Sequence, residues 1–381
     1  MVPLYAAFRL RNANWQHAFA DQFERFATQW LPGTTTSRNR LNRLQYYYLA
    51  AEFLTLAGPS RVGLVPDRLP LLLQSEVREM WDQAPSPQWG GATFTGMRER
   101  LLWKLSSPAT HPSYYRAVLY EDLLVFATAA DLKQYARVTG WKGLDEGLVD
   151  DILRCAITVF KQRVAWRGAG WLFQPGVWAD HPDFAFAGRT SVSPGMLPAP
   201  LTDVAEDVSH SFRFPLWLQS LAAAWPQSSP ERKYFDQLRS GLAVQFFEHV
   251  LRWPAPGNGI ITTSNYMDGR DGVYRWNYLT TGSGRGYGPS ELSGSLTLGW
   301  WSFLGVPKSA GLYRDLAARF PLDSVALTLY VGPNTTRIRN PLVRLPDAYT
   351  NGMMALLTRL AGELYLNAPV RPDRQREVAH Q

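Results

Sequence analysis

Apolar side chains recur at helical spacing through the first part of the chain. In the clearest case, Trp15, Phe19 and Phe23 fall on one face of a predicted helix, and a Pro-Gly pair follows its end. The same spacing continues to about residue 164, with short polar loops between the apolar runs. It predicts helices at 14–30, 40–56, 69–81, 94–105, 119–138 and 146–164, and no strand in this part of the chain.

A different pattern begins near residue 166, where extended aromatic segments and Gly-rich loops alternate with helices. Strands are predicted at 171–173 and 274–278 and in the β-rich segment 324–331. Helices are predicted at 203–217, 230–251 and 313–320, and from Ser290 and Asp347 onward. Three of these helices carry acidic residues in their first turn, namely Glu206 with Asp207, Glu291, and Asp347.

Helices paired in hairpins, with long loops gathered on one side, predict a mainly α fold of the (α/α)6 toroid type, with short strands on the loop face. Residues 1–381 are expected to form one catalytic domain, with segments 166–200, 253–289 and 321–346 on a common face. A bundle or solenoid of helical pairs is the alternative architecture. A solenoid requires a short, fixed sequence period, which this chain lacks.

One stripe of the helix predicted at 203–217 carries an unusual set of polar groups. At positions i, i+4, i+7 and i+11 stand a carboxylate, an imidazole, a guanidinium and an indole, from Glu206, His210, Arg213 and Trp217. A solvated helix face is the ordinary explanation of such a stripe. The aromatic residues around Trp217 indicate instead a helix enclosed by neighbours, so we interpret the stripe as the wall of a cleft.

Aromatic residues are more numerous than a core requires, with 15 Trp and 17 Tyr in the chain. Partly exposed rings are typical of carbohydrate clefts, although they can also stack on nucleic-acid bases. The net charge of +7 favours an acidic partner, but the basic residues form no run like a nucleic-acid-binding arm. A polysaccharide or oligosaccharide is therefore the expected partner, and nucleic acid is not.

Several other classes of protein find no support in the sequence. The single cysteine, Cys155, excludes an intrachain disulfide framework. No stretch is apolar enough for a transmembrane segment, so no membrane partner is expected. The apolar run in residues 1–10 is too short for a secretion signal, and the localisation stays open. No metal site or cofactor is expected, because the six histidines are scattered, residues 180–183 are typical of a turn, and the glycines of 282–288 lack a nucleotide-binding context.

The chain resembles carbohydrate-active α/α toroids, namely the six-hairpin glycosidases and the toroid domains of polysaccharide lyases. The resemblance is carried by E-D-V-S-H at 206–210, Y-R-W-N-Y at 274–278 and L-G-W-W at 298–301. It extends over the last two-thirds of the chain. The C-terminal β-sandwich of many such lyases is not expected after the last predicted helix, which ends near Leu366. The resemblance implies a polysaccharide-cleaving enzyme.

Elimination from a uronic acid polymer requires a base at C5, an acid for the leaving oxygen, and a cation or hydrogen-bond donor for the carboxylate. The candidate for the base is His210, which could instead neutralise the carboxylate, and the candidate for the acid is Tyr278 or Tyr287. Arg213 or Arg285 is the candidate cation for the carboxylate. Tyr349 and Asn351 are further lining residues. The basic charge balance and this His, Arg and Tyr set favour a lyase.

Glycoside hydrolysis is the second hypothesis, and it requires two carboxylates about 5 Å apart for retention or wider apart for inversion. The candidates are Glu206 or Asp207 with Glu291 or Asp347, although each acid alone is typical of a helix cap. A non-catalytic glycan-binding or scaffold protein is the third hypothesis. In all three, residues of the Gly-rich loops are expected to line the cleft: Trp171, Trp178, Trp276 and Tyr287, with Asp207 as a further substrate-binding residue.

Overall fold

The computed structural model describes residues 1–29, 40–59, 63–106, 113–254, 259–277, 284–333, 342 and 344–366. Within these ranges the protein is mainly helical, as the apolar spacing predicts. None of the described helices is both long and apolar enough to cross a membrane. The α-helices are α1 (Val2–Arg9), α2 (Ala13–Gln29), α3 (Arg40–Ala57), α4 (Leu69–Arg78), α5 (Met97–Leu105), α6 (Tyr120–Thr139), α7 (Glu146–Arg163), α8 (Val208–Ser211), α9 (Phe214–Ala223), α10 (Pro230–Val244), α11 (Pro307–Ala317), α12 (Ser324–Val331), α13 (Asp347–Thr350) and α14 (Met353–Leu366).

The strands of the described residues form two-stranded antiparallel sheets. They are β1 (Ser86–Pro87) with β2 (Thr93–Phe94), β3 (Val164–Arg167) with β4 (Gly170–Phe173), and β5 (Leu251–Arg252) with β6 (Thr262–Thr263). The strand predicted at 171–173 is confirmed as β4, which pairs Val164 with Phe173 in register. The expectation of no strand before residue 164 was wrong, because β1 and β2 form a hairpin there.

The prediction of β structure at 324–331 was wrong, because this segment is helix α12. Its apolar and β-branched residues suit a strand. The carboxylate of Asp323, however, accepts a hydrogen bond from the backbone N–H of Ala326 (2.8 Å), which caps a helix at this point.

Two other predicted elements of the second half also differ from the structure. Instead of a strand at 274–278, Tyr274 forms a single β-bridge with Tyr287, and Tyr278 lies outside the described residues. The helix predicted from Ser290 is replaced by two 3-10 segments, Ser293–Leu298 and Trp300–Leu304. A left-handed glycine, Gly299, separates them at φ 82°.

The helices pack in a sequence of neighbours that begins and ends at α1. Helix α3 packs on α6, and α6 on α9; α9 contacts the Trp300–Leu304 segment, which contacts α14. Helix α14 packs on α1, and α1 contacts α3. Further helices cover this series, with α2 on α1, α4 on α3 and α6, α7 on α6, α10 on α9 and α11 on α14. The core draws residues from both sets of helices and contains fully buried indoles such as Trp81, Trp217 and Trp301.

Helices α3, α6 and α9 run in one direction, since the residues at their two ends line two different cavities. Leu41, Tyr120 and His210, at or just before their N-terminal ends, line the first cavity. Leu56 and Ala223, in the last turns of α3 and α9, line the second. The first cavity is the candidate functional site.

A buried charge cluster joins α5 to the beginning of α6. Asp122 accepts hydrogen bonds from Arg100 (2.7 Å) and Lys104 (2.8 Å), and all three side chains are buried. Burial raises the pKa of Asp122, but the two cations outweigh it and hold the pKa at about 2. Since Asp122 also accepts the backbone N–H of Leu119 (2.8 Å), the cluster fixes the first turn of α6 beside the first cavity.

Candidate functional site

The candidate site is a cavity of about 670 Å³ at the N-terminal ends of α3, α6 and the α8–α9 pair. Two loops complete its wall, one near residues 178–184 and one at 274–277. These loops belong to two of the segments expected on a common face, and here they meet. Part of the third segment, 321–346, lies outside the described residues.

Aromatic rings form much of the wall of this cavity, and they are contributed by Trp89, Tyr114, Tyr120, Trp178, Phe184 and Tyr274. Trp89 is 39% exposed and meets Trp178 edge to face, with ring centroids 5.9 Å apart. It stands in the β1–β2 turn, where Gly90 and Gly91 both take φ of 83° and reverse the chain. Flat exposed rings of this kind can pack against the C–H faces of sugars.

His210 lies in the cavity wall and is held by Asp207. Its Nδ1 is 2.7 Å from Oδ2 and 2.9 Å from Oδ1 of Asp207, which is itself 2% exposed. Burial raises the pKa of Asp207, but the His210 ring and Arg275 outweigh it and hold the pKa at about 2. Asp207 is therefore a carboxylate at neutral pH and only accepts, so Nδ1 of His210 carries the hydrogen and Nε2 is left to exchange a proton with a ligand.

Tyr120 fixes the plane of the His210 ring. The two rings are stacked with centroids 4.8 Å apart and planes 5° apart. Asp207 is fixed by the backbone, because it bridges to Tyr266 and the following N–H, of Val208, donates to the carbonyl of Asn265 (2.9 Å). The imidazole is thus oriented from both sides before any ligand binds.

Arg275 supplies positive charge to the cavity wall. Its Nε donates to Asp183 (2.8 Å), and its guanidinium lies over the ring of Tyr274, 4.9 Å from the ring centroid. Burial lowers the pKa of Arg275, but Tyr274, Asp183 and Asp207 outweigh burial and raise the pKa above its ordinary value. The guanidinium therefore stays charged. Its backbone takes φ of 56°, a conformation that costs a non-glycine residue about 1–3 kcal/mol and recurs at functional sites.

Glu206 lies behind the aromatic wall and is 3% exposed. Its Oε1 accepts hydrogen bonds from Gln174 (3.0 Å) and Trp178 (3.4 Å), while Oε2 has no partner among the described residues. Burial raises the pKa of Glu206 to about 8, against the two donors. Glu206 is therefore a neutral acid at pH 7 that supports Trp178 from behind.

The predicted stripe of Glu206, His210, Arg213 and Trp217 does not exist in the structure. Helix α8 begins only at Val208, so Glu206 precedes it and turns toward Gln174, and Asp207 is the residue that orients His210. Arg213 lies between α8 and α9, where its guanidinium packs over the Phe212 ring at 4.4 Å. Trp217 is fully buried in the core.

Of the tryptophans predicted to line the cleft, Trp171 lies in the core instead. It is 2% exposed, and its indole N–H donates to the carbonyl of Leu238 (2.7 Å) on α10. The reason is Gly241 of the same helix, where a Cβ would stand 2.7 Å from Trp171 and leave the ring no room. Trp178 does line the cavity, although it is only 6% exposed.

Trp276 lines a neighbouring, more open cavity of about 570 Å³ together with residues 192–196. Asn277 lines both this cavity and the first one. The two cavities therefore adjoin at Asn277. Arg285 is exposed, and its backbone N–H donates to the carbonyl of Trp276 (3.0 Å).

The remaining candidates lie elsewhere. Tyr287, Glu291 and Tyr349 line a separate cavity of about 200 Å³, in which Glu291 accepts the backbone N–H of Gly288 (2.6 Å) and burial raises its pKa. Asp347 pairs with Arg344. Asn351 is exposed and its side-chain oxygen accepts the N–H of Met353 (2.9 Å). Tyr278 lies outside the described residues.

The sequence did not single out several residues that the cavity contains, among them Trp89, Tyr114, Tyr120, Glu121 and Arg275. Arg275 stood in the motif at 274–278, but its left-handed backbone and its pairing with Asp183 are invisible in a linear sequence. Tyr120 and Glu121 could have been identified as candidate site residues from the sequence, since they begin a predicted helix after a Pro-containing loop.

Residues 180–183 form a turn, the ordinary interpretation of this segment, and their polar groups have separate partners. Asp180 accepts from Ser113 and Tyr114, Asp183 pairs with Arg275, and Nδ1 of His181 accepts the N–H of Asp183 (3.1 Å). The part of the chain that the structure describes contains no group of three or more His, Cys, Asp or Glu residues suited to a metal ion.

Comparison of this chain with protein-family models, curated proteins and solved structures gives no match.

Proposed function

We propose that this protein cleaves an acidic polysaccharide by β-elimination at a uronic acid residue bound in the aromatic cavity. The observation that carries the proposal is the oriented His210–Asp207 pair in a cavity that also contains Arg275. A base and a cation on one wall suit removal of a proton beside a carboxylate, since the cation stabilises the charge that develops there.

The proposed architecture is an (α/α)6 toroid. The closed series of neighbours supports it, because α1, α3, α6, α9, the two 3-10 segments and α14 occupy six successive positions and α14 returns to α1. The covering helices α2, α4, α7, α10 and α11 then form an outer layer. In such a ring the N-terminal ends of α3, α6 and α9 surround the cavity.

In the proposed reaction, Nε2 of His210 removes the proton from C5 of the uronate. The electrons of that C–H bond form the C4–C5 double bond as the C4–O bond breaks. Tyr120 or Tyr274, both of which line the cavity, donates a proton to the leaving oxygen. Burial, reinforced by nearby acids, raises the pKa of each phenol well above 10, so both remain protonated donors at neutral pH.

Hydrolysis is less well supported, because it requires a protonated carboxylic acid beside the scissile bond. The carboxylates among the described lining residues are each engaged by a basic group: Glu121 by Arg100, Asp183 by Arg275, and Asp207 by His210. The acid that is neutral at pH 7, Glu206, is sealed behind Trp178. These pairings favour elimination over a two-carboxylate mechanism.

The neighbouring cavity lined by Trp276 supports a polymeric substrate. Asn277 joins the first cavity to the one lined by Trp276, so a sugar chain that leaves the first cavity finds a second aromatic surface. Together the two cavities are larger than one sugar residue requires.

The test is His210→Ala, assayed on a panel of uronic acid polysaccharides by the ultraviolet absorbance of the unsaturated product. We expect the rate to fall by at least about 10²-fold, the lower range of a general base contribution, with the fold and glycan binding retained. His17→Ala, at an exposed histidine of α2, is the matched control and should retain the full rate.

Each other outcome of this test supports a different function of the protein or a different role of His210. New reducing ends without a rise in absorbance indicate a glycoside hydrolase, and glycan binding without turnover indicates a binding or scaffold protein. An unchanged turnover in His210→Ala, with stability lowered by about 1–3 kcal/mol, shows that His210 only packs the helix.

A further inference from the structure

A second cavity, of about 470 Å³, lies at the opposite end of α3, α6 and α9 from the aromatic cavity. Its wall includes Tyr5 and Phe8 of α1 and Leu56 of α3. It also includes two carboxylic acids that the proposed reaction does not use, Glu52 and Asp131, each only 1% exposed. Acids this deeply buried are retained at a cost unless something compensates them.

Hydroxyl groups surround Glu52. Its Oε2 accepts a hydrogen bond from Tyr5 (2.6 Å), and its Oε1 accepts from Tyr48 (2.7 Å) and Ser220 (3.0 Å). The donors stabilise the ionised form, but burial is the stronger effect and raises the pKa of Glu52. The hydroxyl groups therefore satisfy the oxygens of Glu52 without supplying a positive charge.

Asp131 is less well satisfied, since its Oδ2 is buried without a hydrogen-bond partner among the described residues. Burial and the neighbouring Glu52 both raise its pKa well above the ordinary value. An unpaired acceptor on the wall of a cavity is the arrangement expected where a ligand donates the missing hydrogen bond.

The cations near this pair do not neutralise it. Arg9 lies over the Tyr5 ring, with its guanidinium 5.2 Å from the centroid, and donates to the carbonyl of Leu364 (3.0 Å). The amino group of Met1 interacts with Glu52, but burial lowers its pKa to about 6, so it is mainly uncharged at neutral pH. Arg11 also lines the cavity, but among the described residues no ion pair joins it, Arg9 or Met1 to Glu52 or Asp131, so the two acids lack a cation within pairing distance.

We propose that this cavity binds a small organic ammonium ion, whose N–H groups donate to Asp131 and Glu52 while its apolar part packs against Phe8 and Leu56. An organic cation suits the site better than a metal ion for two reasons. The cavity is far larger than a single ion, and the described residues offer no group of three or more metal-ligating side chains. The site is separate from the aromatic cavity, so the proposal does not depend on polysaccharide cleavage.

The experiment is isothermal titration of the full chain with putrescine, with butanediol as the uncharged analogue of the same length. We expect putrescine to bind and butanediol to produce no binding heat up to about 10 mM, because the charged N–H groups supply the affinity. Asp131→Asn should weaken putrescine binding by at least about tenfold. Asp315→Asn, at an exposed aspartate of α11, is the matched control and should bind as the wild type does.

Two additions make the test independent of one variant and of the proposed reaction. Glu52→Gln should weaken putrescine binding as Asp131→Asn does, and circular dichroism shows that each variant is folded. His210→Ala should bind putrescine normally, whatever its effect on polysaccharide cleavage.

Several results would overturn the proposal. They are the absence of putrescine binding to the wild type, equal binding of butanediol, and unchanged putrescine binding in both folded carboxyl variants. Calcium chloride is the metal arm of the experiment. If calcium binds with the expected dependence on Asp131 and putrescine does not, the site belongs to a metal ion and not to an organic ammonium ion.

Discussion

Glu206 and Asp207 are adjacent in the chain but hold opposite protonation states at neutral pH. Burial raises the pKa of Glu206 to about 8, whereas His210 and Arg275 overcome burial and hold the pKa of Asp207 at about 2. The difference arises because successive residues of an extended segment point to opposite sides. One side meets neutral amide and indole donors and the other meets an imidazole.

The neutral state of Glu206 predicts a pH-dependent effect of Glu206→Gln. Because folding raises the pKa from 4.5 to about 8, the folded protein keeps a proton that the unfolded chain loses across this range. The wild type is therefore destabilised progressively as pH rises from about 5 to 8. Glutamine preserves the neutral form, so the variant should gain stability relative to the wild type over that range, by about 5 kcal/mol at most.

Urea unfolding at about pH 5 and about pH 9 measures this difference. Glu24→Gln, at an exposed residue of α2, is the control and should show no comparable pH trend. An equal effect of Glu206→Gln at both pH values would mean that Glu206 is ionised in the folded protein.

At the scale of the element, the first turn of α6 depends on a buried ion cluster. Asp122 is the shared acceptor of Arg100 and Lys104, and it also accepts the backbone N–H of Leu119 at the helix start. Tyr120, the ring that stacks on His210, lies in this same turn. The position of a cavity residue therefore depends on charges that lie outside the cavity.

We predict that Asp122→Asn lowers the free energy of unfolding by about 3–5 kcal/mol, because it leaves the buried Lys104 without its carboxylate and Arg100 with Glu121 alone. The matched control is Asp236→Asn, which breaks the ion pairs of the 34% exposed Asp236 with Arg232 (3.0 Å) and Arg239 (3.3 Å). That change should cost about 1 kcal/mol or less. Urea unfolding of both variants provides the comparison, and similar losses would show that the cluster contributes no more than a surface pair.

The boundaries of elements show what apolar periodicity can and cannot predict. It locates α2, α3, α6 and α7 to within one or two residues, since their cores and caps are local features. Apolar periodicity fails at 203–217, because helix α8 begins only at Val208. Before that residue, the carbonyl of Glu206 accepts a hydrogen bond from the backbone N–H of Met267 (2.9 Å). That pairing joins residues about sixty positions apart, which no local pattern encodes.

At the scale of the whole molecule, the aromatic cavity is assembled from distant segments. Trp89 comes from the β1–β2 turn, Trp178 from the loop after β4, and Tyr274 from the loop after β6. Their rings lie together because helix packing brings the ends of α3, α6 and α9 to one side.

Trp89→Ala tests the aromatic wall under the proposed function. The ring is 39% exposed, so its loss should leave stability within about 0.5 kcal/mol. Affinity for a uronic acid oligosaccharide should fall about fivefold, equivalent to about 1 kcal/mol of ring contact. Calorimetric titration measures the affinity, and Trp253→Ala, at a 48% exposed ring outside the cavity, should leave it unchanged. Equal affinities of the Trp89 variant and the wild type would remove this ring from the binding surface.

The sequence by itself determined the helical class of this protein. That class depends on apolar residues separated by three or four positions, which the geometry of a helical turn brings to one face wherever the segment lies. The structure decided that Asp207, and not Glu206, orients His210. Only the tertiary structure decided that Trp171 is buried against Gly241, that Arg275 faces the same cavity as His210, and that Glu52 and Asp131 share another. These outcomes depend on contacts between residues far apart in the chain, where the shape of each neighbour, down to one missing Cβ, selects the side chain that fits.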